Sequence, residues 1–188
     1  MRAATVVFLL FAAGAGTVHA YDEAALLKGR TAAAALAETL AARMARSVKE
    51  SGPAAAMAVC VYQARALADE VAARQRVEVR RTALRLRNPA NAPDDFEQGV
   101  LARFVADARE GTLPEELLDE RRVSGRKVYR YAKPLVAGPL CITCHGRAEK
   151  IPEDVRKVLE TRYPDDAATG YREGDFMGIV SVVIPAAD

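Results

Sequence analysis

A chain of 188 residues, 51% hydrophobic and 28% charged, is long enough to bury one sizeable core and too short for two comfortable domains. Its formal charge of +2 has no basic stripe set apart from acidic neighbours, which excludes nucleic acid as the main partner.

Met1-Arg2 leads into the apolar run Val6–Ala13 and then into Val18-His19-Ala20, a small-residue cleavage site. Residues 1–20 therefore read as a secretory signal peptide and 21–188 as a single domain delivered to the periplasm. The apolar run is short for a retained anchor, which needs about 20 residues, and no later run could span a membrane in the mature chain. Cleavage discards His19, so His145 is the one histidine left.

From Asp22 to about Glu50, Leu26, Ala33, Leu36, Leu40, Met44 and Val48 recur at helical spacing among Lys, Arg and Glu, which predicts a long amphipathic helix. Ser51-Gly52-Pro53 breaks it and opens a second helix, about residues 54–74. The second helix's apolar face carries Met57, Cys60 or Val61, Ala64, Leu67, Ala68 and Val71, and an antiparallel helix hairpin is the simplest arrangement. Residues 76–87 alternate apolar with charged positions but slip register between Val79 and Leu84, so a bulged strand is expected. Asn88–Pro93 turns the chain, and Asp94 or Asp95 caps a helix that runs to about Glu110 and stops at Gly111. Two strands flank a Ser-Gly-Arg turn at 124–126 as a β-hairpin, and a short helix begins near Pro152-Glu153-Asp154. Tyr163-Pro-Asp-Asp reads as a helix-stop turn, and Phe176–Pro185 as a buried final strand. The order predicts an α+β domain with an antiparallel sheet.

The chemistry sits in Cys141-Ile142-Thr143-Cys144-His145, the pattern for covalent attachment of a c-type haem. Three positions make nearly one helical turn, so both thiols project to one side and can add to the two vinyl groups of one porphyrin. His145 then supplies the proximal iron ligand. Competing uses are a dithiol–disulfide redox pair, a zinc site of Cys60, Cys141, Cys144 and His145, and a structural disulfide. With one histidine the mature chain holds at most one covalent haem c, and its sixth ligand must come from Met44, Met57, Met177, Cys60, another donor or water. Cys60 is an unpaired thiol in an exported chain, for which coordination would account, and Met57 lies one turn away. Arg81, Arg85, Arg87, Lys133, Tyr129 and Tyr131 are candidates to line the haem pocket and hold its propionates.

Arg80–Asp94, the Cys-x-x-Cys-His-Gly of 141–146 and Tyr163–Asp175, with Gly52–Cys60, resemble a bacterial family of exported single-haem c-type proteins with a PAS-like domain. The resemblance covers essentially the whole mature chain. It implies a PAS-like antiparallel sheet preceded by long helices, the haem attached in a loop before the last strand, and a distal cysteine ligand at the position of Cys60. The leading expectation is a redox or small-ligand sensor with His/Cys-ligated haem, binding a diatomic gas or answering to a redox or signalling partner. A periplasmic electron-transfer cytochrome is the alternative, thiol–disulfide exchange a more distant one, and enzymatic chemistry is not expected because no distal histidine is left as acid or base.

Overall fold

The computed structural model describes residues 22–186; the signal-peptide expectation for residues 1–20 lies outside them. Helix α1 (Glu23–Ser51) starts on an Asp22 side chain that accepts from the Ala25 amide, and it ends at Gly52, whose φ of 83° belongs to the left-handed region that glycine tolerates. Pro53 then opens a second helix with its missing N–H at a position that needs none. This helix has three parts: α2 (Pro53–Ala58), a π-helical turn (Val59–Gln63) and α3 (Ala64–Gln75). It folds back on α1, as the hairpin reading expects, and Leu67 and Val71 share a cluster with Leu36 and Leu40.

Strand β1 (Glu78–Thr82) is shorter than the bulged strand expected over 76–87. The slip in alternation marks the end of the strand, after which residues 83–88 leave the sheet. Helix α4 (Asp95–Glu110) is capped by Asp94 in a reciprocal capping box with Glu97 and ends at Gly111. Strands β2 (Leu117–Val123) and β3 (Arg126–Val136) form the hairpin, and Ser124 and Gly125 both take the positive φ that a tight two-residue turn demands. Helix α5 (Pro139–His145) carries the cysteine motif, which is therefore on a short helix and not in an irregular loop. Helix α6 (Glu153–Arg162) and strand β4 (Phe176–Pro185) complete the chain, β4 with the predicted bounds.

The four strands form an antiparallel sheet in the order β1-β4-β3-β2. Strand β4 is central and covered on both faces: Val180, Val182 and Ile184 pack with α1 residues, while Ile179 joins Val100, Leu101 and Phe104 of α4. That explains why its sequence is a nearly unbroken apolar run instead of an alternation. The domain is α+β, with helices on both faces of one antiparallel sheet.

Candidate haem site

Helix α5 is held at both ends by the segment that leads into β4. Before it, Ala137 exchanges backbone hydrogen bonds with Gly174 and Asp175; after it, the Tyr171 amide donates to the His145 carbonyl (2.9 Å) and the Gly170 amide to that of Gly146 (2.7 Å). Cys141 and Cys144 stand one turn apart on this helix, both half-buried. The Cys144 side packs toward Met57, Ile151, Val155 and Leu159.

The His145 ring is fixed by its surroundings. Nδ1 lies 2.7 Å from the carbonyl oxygen of Ala168, and a carbonyl can only accept, so Nδ1 carries the hydrogen and Nε2 keeps a lone pair. Burial, reinforced by the Arg87 guanidinium, lowers the ring's pKa to about 4, which leaves it neutral at pH 7. Arg87 Nη1 approaches Nε2 at 3.4 Å, a geometry consistent with an unprotonated nitrogen there. Tyr171 stands edge-on to the imidazole, with ring centroids 6.5 Å apart.

Arg87 is itself locked in place. Its Nε donates to Asp166 Oδ2 at 2.9 Å and its Nη2 to the Cys144 carbonyl at 2.6 Å, with both ion-pair side chains about one-tenth exposed (9% and 10%). Asp166 Oδ1 accepts from the Ala168 amide at 2.8 Å. Nearby, Arg85 donates to the carbonyls of Ala167 and Thr169 and lies 4.3 Å over the Tyr171 ring.

Arg85, Arg87, His145, Ala168 and Tyr171 border a cavity of about 500 Å³ between the helix hairpin and the sheet edge, within the range of pockets that take a cofactor-sized ligand. Leu36 and Leu40 of α1 and Cys60, Val61 and Ala64 of the second helix line it, together with Arg81, Arg85, Arg87, His145 and Tyr171. Cys60 falls in the π-helical turn. An extra residue per turn rotates the helix face at this point, and such turns concentrate at functional sites. The Cys60 thiol donates to the Met44 thioether at 3.6 Å, and burial raises its pKa against the partly opposing field of Arg81 and Arg87. Apolar walls, guanidinium groups, a neutral imidazole and a sulfur donor are chemistry that could hold a haem and its two carboxylates.

The chain matches the Tll0287-like family over residues 19–185. It belongs to that family. A crystal structure of the cyanobacterial heme-protein Tll0287 is similar, with a TM-score of 0.65 and 26% identity, over 90% of this chain and 99% of that one. No curated protein matched the chain.

In this member of the Tll0287-like family, then, Cys60, Arg81, Arg87 and His145 border one cavity. Met57 does not. It lies in α2, just before the π-helical turn that holds Cys60, and is buried beneath α6 against Ile151, Val155 and Leu159. Tyr131, expected in the pocket, is also elsewhere: it is 1% exposed, packs in the core between α1 and the sheet, and donates its hydroxyl to Glu116 at 2.9 Å. Tyr129 similarly donates to Asp22, and Lys133 is exposed. Residue order placed the tyrosines near the motif in sequence but could not show which part of the sheet meets the cavity.

Among the described residues no three His, Cys, Asp or Glu side chains converge as a metal site, so the zinc set does not assemble, and all three cysteines are free thiols. The sequence reading missed Asp166 and Ala168, because a backbone carbonyl that orients an imidazole leaves no mark in residue type. The acidic pair after Tyr163-Pro164 was the available signal.

Proposed function

We propose that this chain is an exported protein that binds one haem c through thioether links at Cys141 and Cys144, with His145 Nε2 as proximal ligand and the Cys60 sulfur as distal ligand. The observation that carries the reading is the commitment of His145 Nδ1 to the Ala168 carbonyl, which leaves a neutral, lone-pair-bearing Nε2 one residue from the second attachment thiol and on a cavity shared with Cys60. A metal-bound histidine characteristically spends its other N–H in this way. The haem character of the similar Tll0287 structure supports it. Coordination replaces the 3.4 Å approach of Arg87 Nη1 and leaves that residue's shorter contacts to Asp166 and Cys144 in place.

When bound, the group supplies a one-electron redox centre with an exchangeable axial position. The chain's own residues bias it. A sulfur donor from Cys60 favours the ferric state, the walls from α1 and the second helix exclude water, and Arg81 is the cation available to a propionate. We infer a redox- or gas-responsive role in the periplasm, acting through binding and not catalysis. The dithiol alternative is disfavoured because α5 does not lie in a βαβ unit: the strands on either side of it in the chain, β3 and β4, are antiparallel neighbours.

A haem-stained denaturing gel and the intact mass of protein recovered from its native host test the attachment; a bare peptide mass overturns the reading. Reduction in the presence of carbon monoxide then separates the roles. Binding of the gas with loss of the distal sulfur supports a sensor, and retention of both axial ligands supports an electron carrier.

A further inference from the structure

Tyr163-Pro164-Asp165-Asp166 looks in sequence like a helix-stop turn. In the structure it also ends in a carboxylate only 10% exposed, whose two oxygens face two different partners. We propose that Asp166 is the positioning residue for the proximal histidine, holding the Arg87 guanidinium with Oδ2 and the Ala168 amide with Oδ1, so that the Ala168 carbonyl is aimed at Nδ1 of His145. The inference rests on the haem reading above and deepens it by naming what orients the ligand.

The four links form one continuous chain: Arg87 Nε to Asp166 Oδ2 at 2.9 Å, Ala168 N to Asp166 Oδ1 at 2.8 Å, His145 Nδ1 to Ala168 O at 2.7 Å, and Arg87 Nη2 back to the Cys144 carbonyl at 2.6 Å. Each is within ordinary hydrogen-bond length, and the loop closes on the residue preceding the histidine. An Asx-type turn alone would account for the Asp166–Ala168 bond but not for a nearly buried arginine on the other oxygen. A buried guanidinium without its carboxylate would be costly, so the two are kept together. The consequence for His145 is twofold. Asp166 holds the backbone on the amide side of Ala168, and the arginine it carries approaches the Ala168 carbonyl oxygen itself at 3.5 Å, so the carbonyl is kept on Nδ1–H and the ring's tautomer and plane with it. The Asp166 charge also neutralises Arg87 beside the imidazole, so the ring is not stripped of donor strength by an uncompensated cation. Outer-shell partners of this kind tune metal ligands.

The test uses the exported haem-loaded protein and two substitutions that separate charge from shape. Asp166→Asn keeps an oxygen for the Ala168 amide but removes the charge, leaving Arg87 unneutralised; the midpoint potential should move upward, with covalent haem retained on a denaturing gel. Asp166→Glu keeps the charge but displaces the oxygen from the Ala168 amide; the potential should stay near wild type while the iron–histidine vibration of the reduced protein shifts or broadens. Thermal unfolding of each variant is followed alongside, because a merely structural role would lower the melting temperature and leave both haem readouts in place. Wild-type values of potential and vibration in both variants, with haem attached, overturn the proposal and leave the haem reading standing. Absence of covalent haem from the wild-type protein takes both down.

Discussion

The ring of Tyr131 lies directly against the bare Cα of Gly29: a β-carbon built on Gly29 would stand 2.5 Å from Cγ and 2.8 Å from Cβ of the tyrosine. Glycine costs a helix roughly 1 kcal/mol relative to alanine, so in open space Gly29→Ala would stabilise α1. Here the contact involves the root of a fully buried side chain, which cannot swing aside. Overpacking of a tight core costs about 1–3 kcal/mol, and the balance goes against alanine. Gly29→Ala is expected to lower stability by up to roughly 2 kcal/mol in urea denaturation, the overpacking cost less the helix gain. Gly99→Ala, mid-helix in α4 with nothing within 4 Å, should raise it by about 0.5–1 kcal/mol. A stabilising Gly29→Ala would mean that the sheet and α1 are not packed as described.

At the distal side, Cys60→Ala should leave the haem covalently attached while changing the ferric absorption spectrum, since the attachment thiols lie on α5 and Cys60 on the second helix. Met44→Leu removes only the sulfur acceptor of the Cys60 thiol and should alter the spectrum much less. Ferric spectra of Cys60→Ala and wild type that superimpose would remove Cys60 from the coordination sphere.

Acid should unfold the domain through a small set of carboxylates. The Arg30 guanidinium and the Tyr131 hydroxyl hold Glu116 below its ordinary pKa of 4.5. Asp94 pays for partial burial, but the Glu97 amide and Arg130 outweigh it and its pKa is also lowered. A carboxylate with a depressed folded pKa contributes stability that is complete above its unfolded value and is lost as pH falls through the folded one. The decline is therefore expected below about pH 4.5, with none attributable to these groups between pH 6 and 8. Glu116→Gln should cost roughly 1–2 kcal/mol at pH 7, the scale of hydrogen bonds to a charged group. Measured by urea denaturation, that difference should shrink toward zero at pH 3; a gap that persists there would assign the effect to packing instead.

Much of this architecture was legible from residue order because local signals agreed with tertiary demands. Asp94 with Glu97 three residues on marks a helix start whatever lies around it, and Phe176–Pro185 has too many β-branched residues in a row to be anything but a covered strand. The grouping of Cys141, Cys144 and His145 was equally plain, since the three are neighbours in sequence. What could not be read were contacts made across the fold. The π-helical turn at Val59–Gln63 left the facing of Met57 and Cys60 undecided, because a period of 3.6 assumes an uninterrupted helix. Tyr131 was misplaced for a related reason: its distance from the cavity depends on how α1 crosses the sheet, which residue order does not show. Asp166 is 79 residues from the arginine it binds, and no periodicity connects them.

Gly146 is the last residue whose size the site dictates. Its φ is −70°, which any residue adopts, so the constraint is space and not backbone freedom. A β-carbon there would lie 2.5 Å from the Ile142 carbonyl oxygen, the same oxygen that accepts the Gly146 amide at 2.9 Å and closes α5. Because the obstacle is backbone, relief requires opening that bond or moving the Gly146 carbonyl away from the Gly170 amide. Either movement pulls on His145, whose own carbonyl is bound to Tyr171. Gly146→Ala is therefore expected to cost about 1–3 kcal/mol, on the scale of a core overpacking, and to concentrate its effect at α5. The measurements are the melting temperature and the haem bound per chain on a denaturing gel. Both should fall, and a variant that loads haem and melts like wild type would show that the 170–171 segment does not grip the motif.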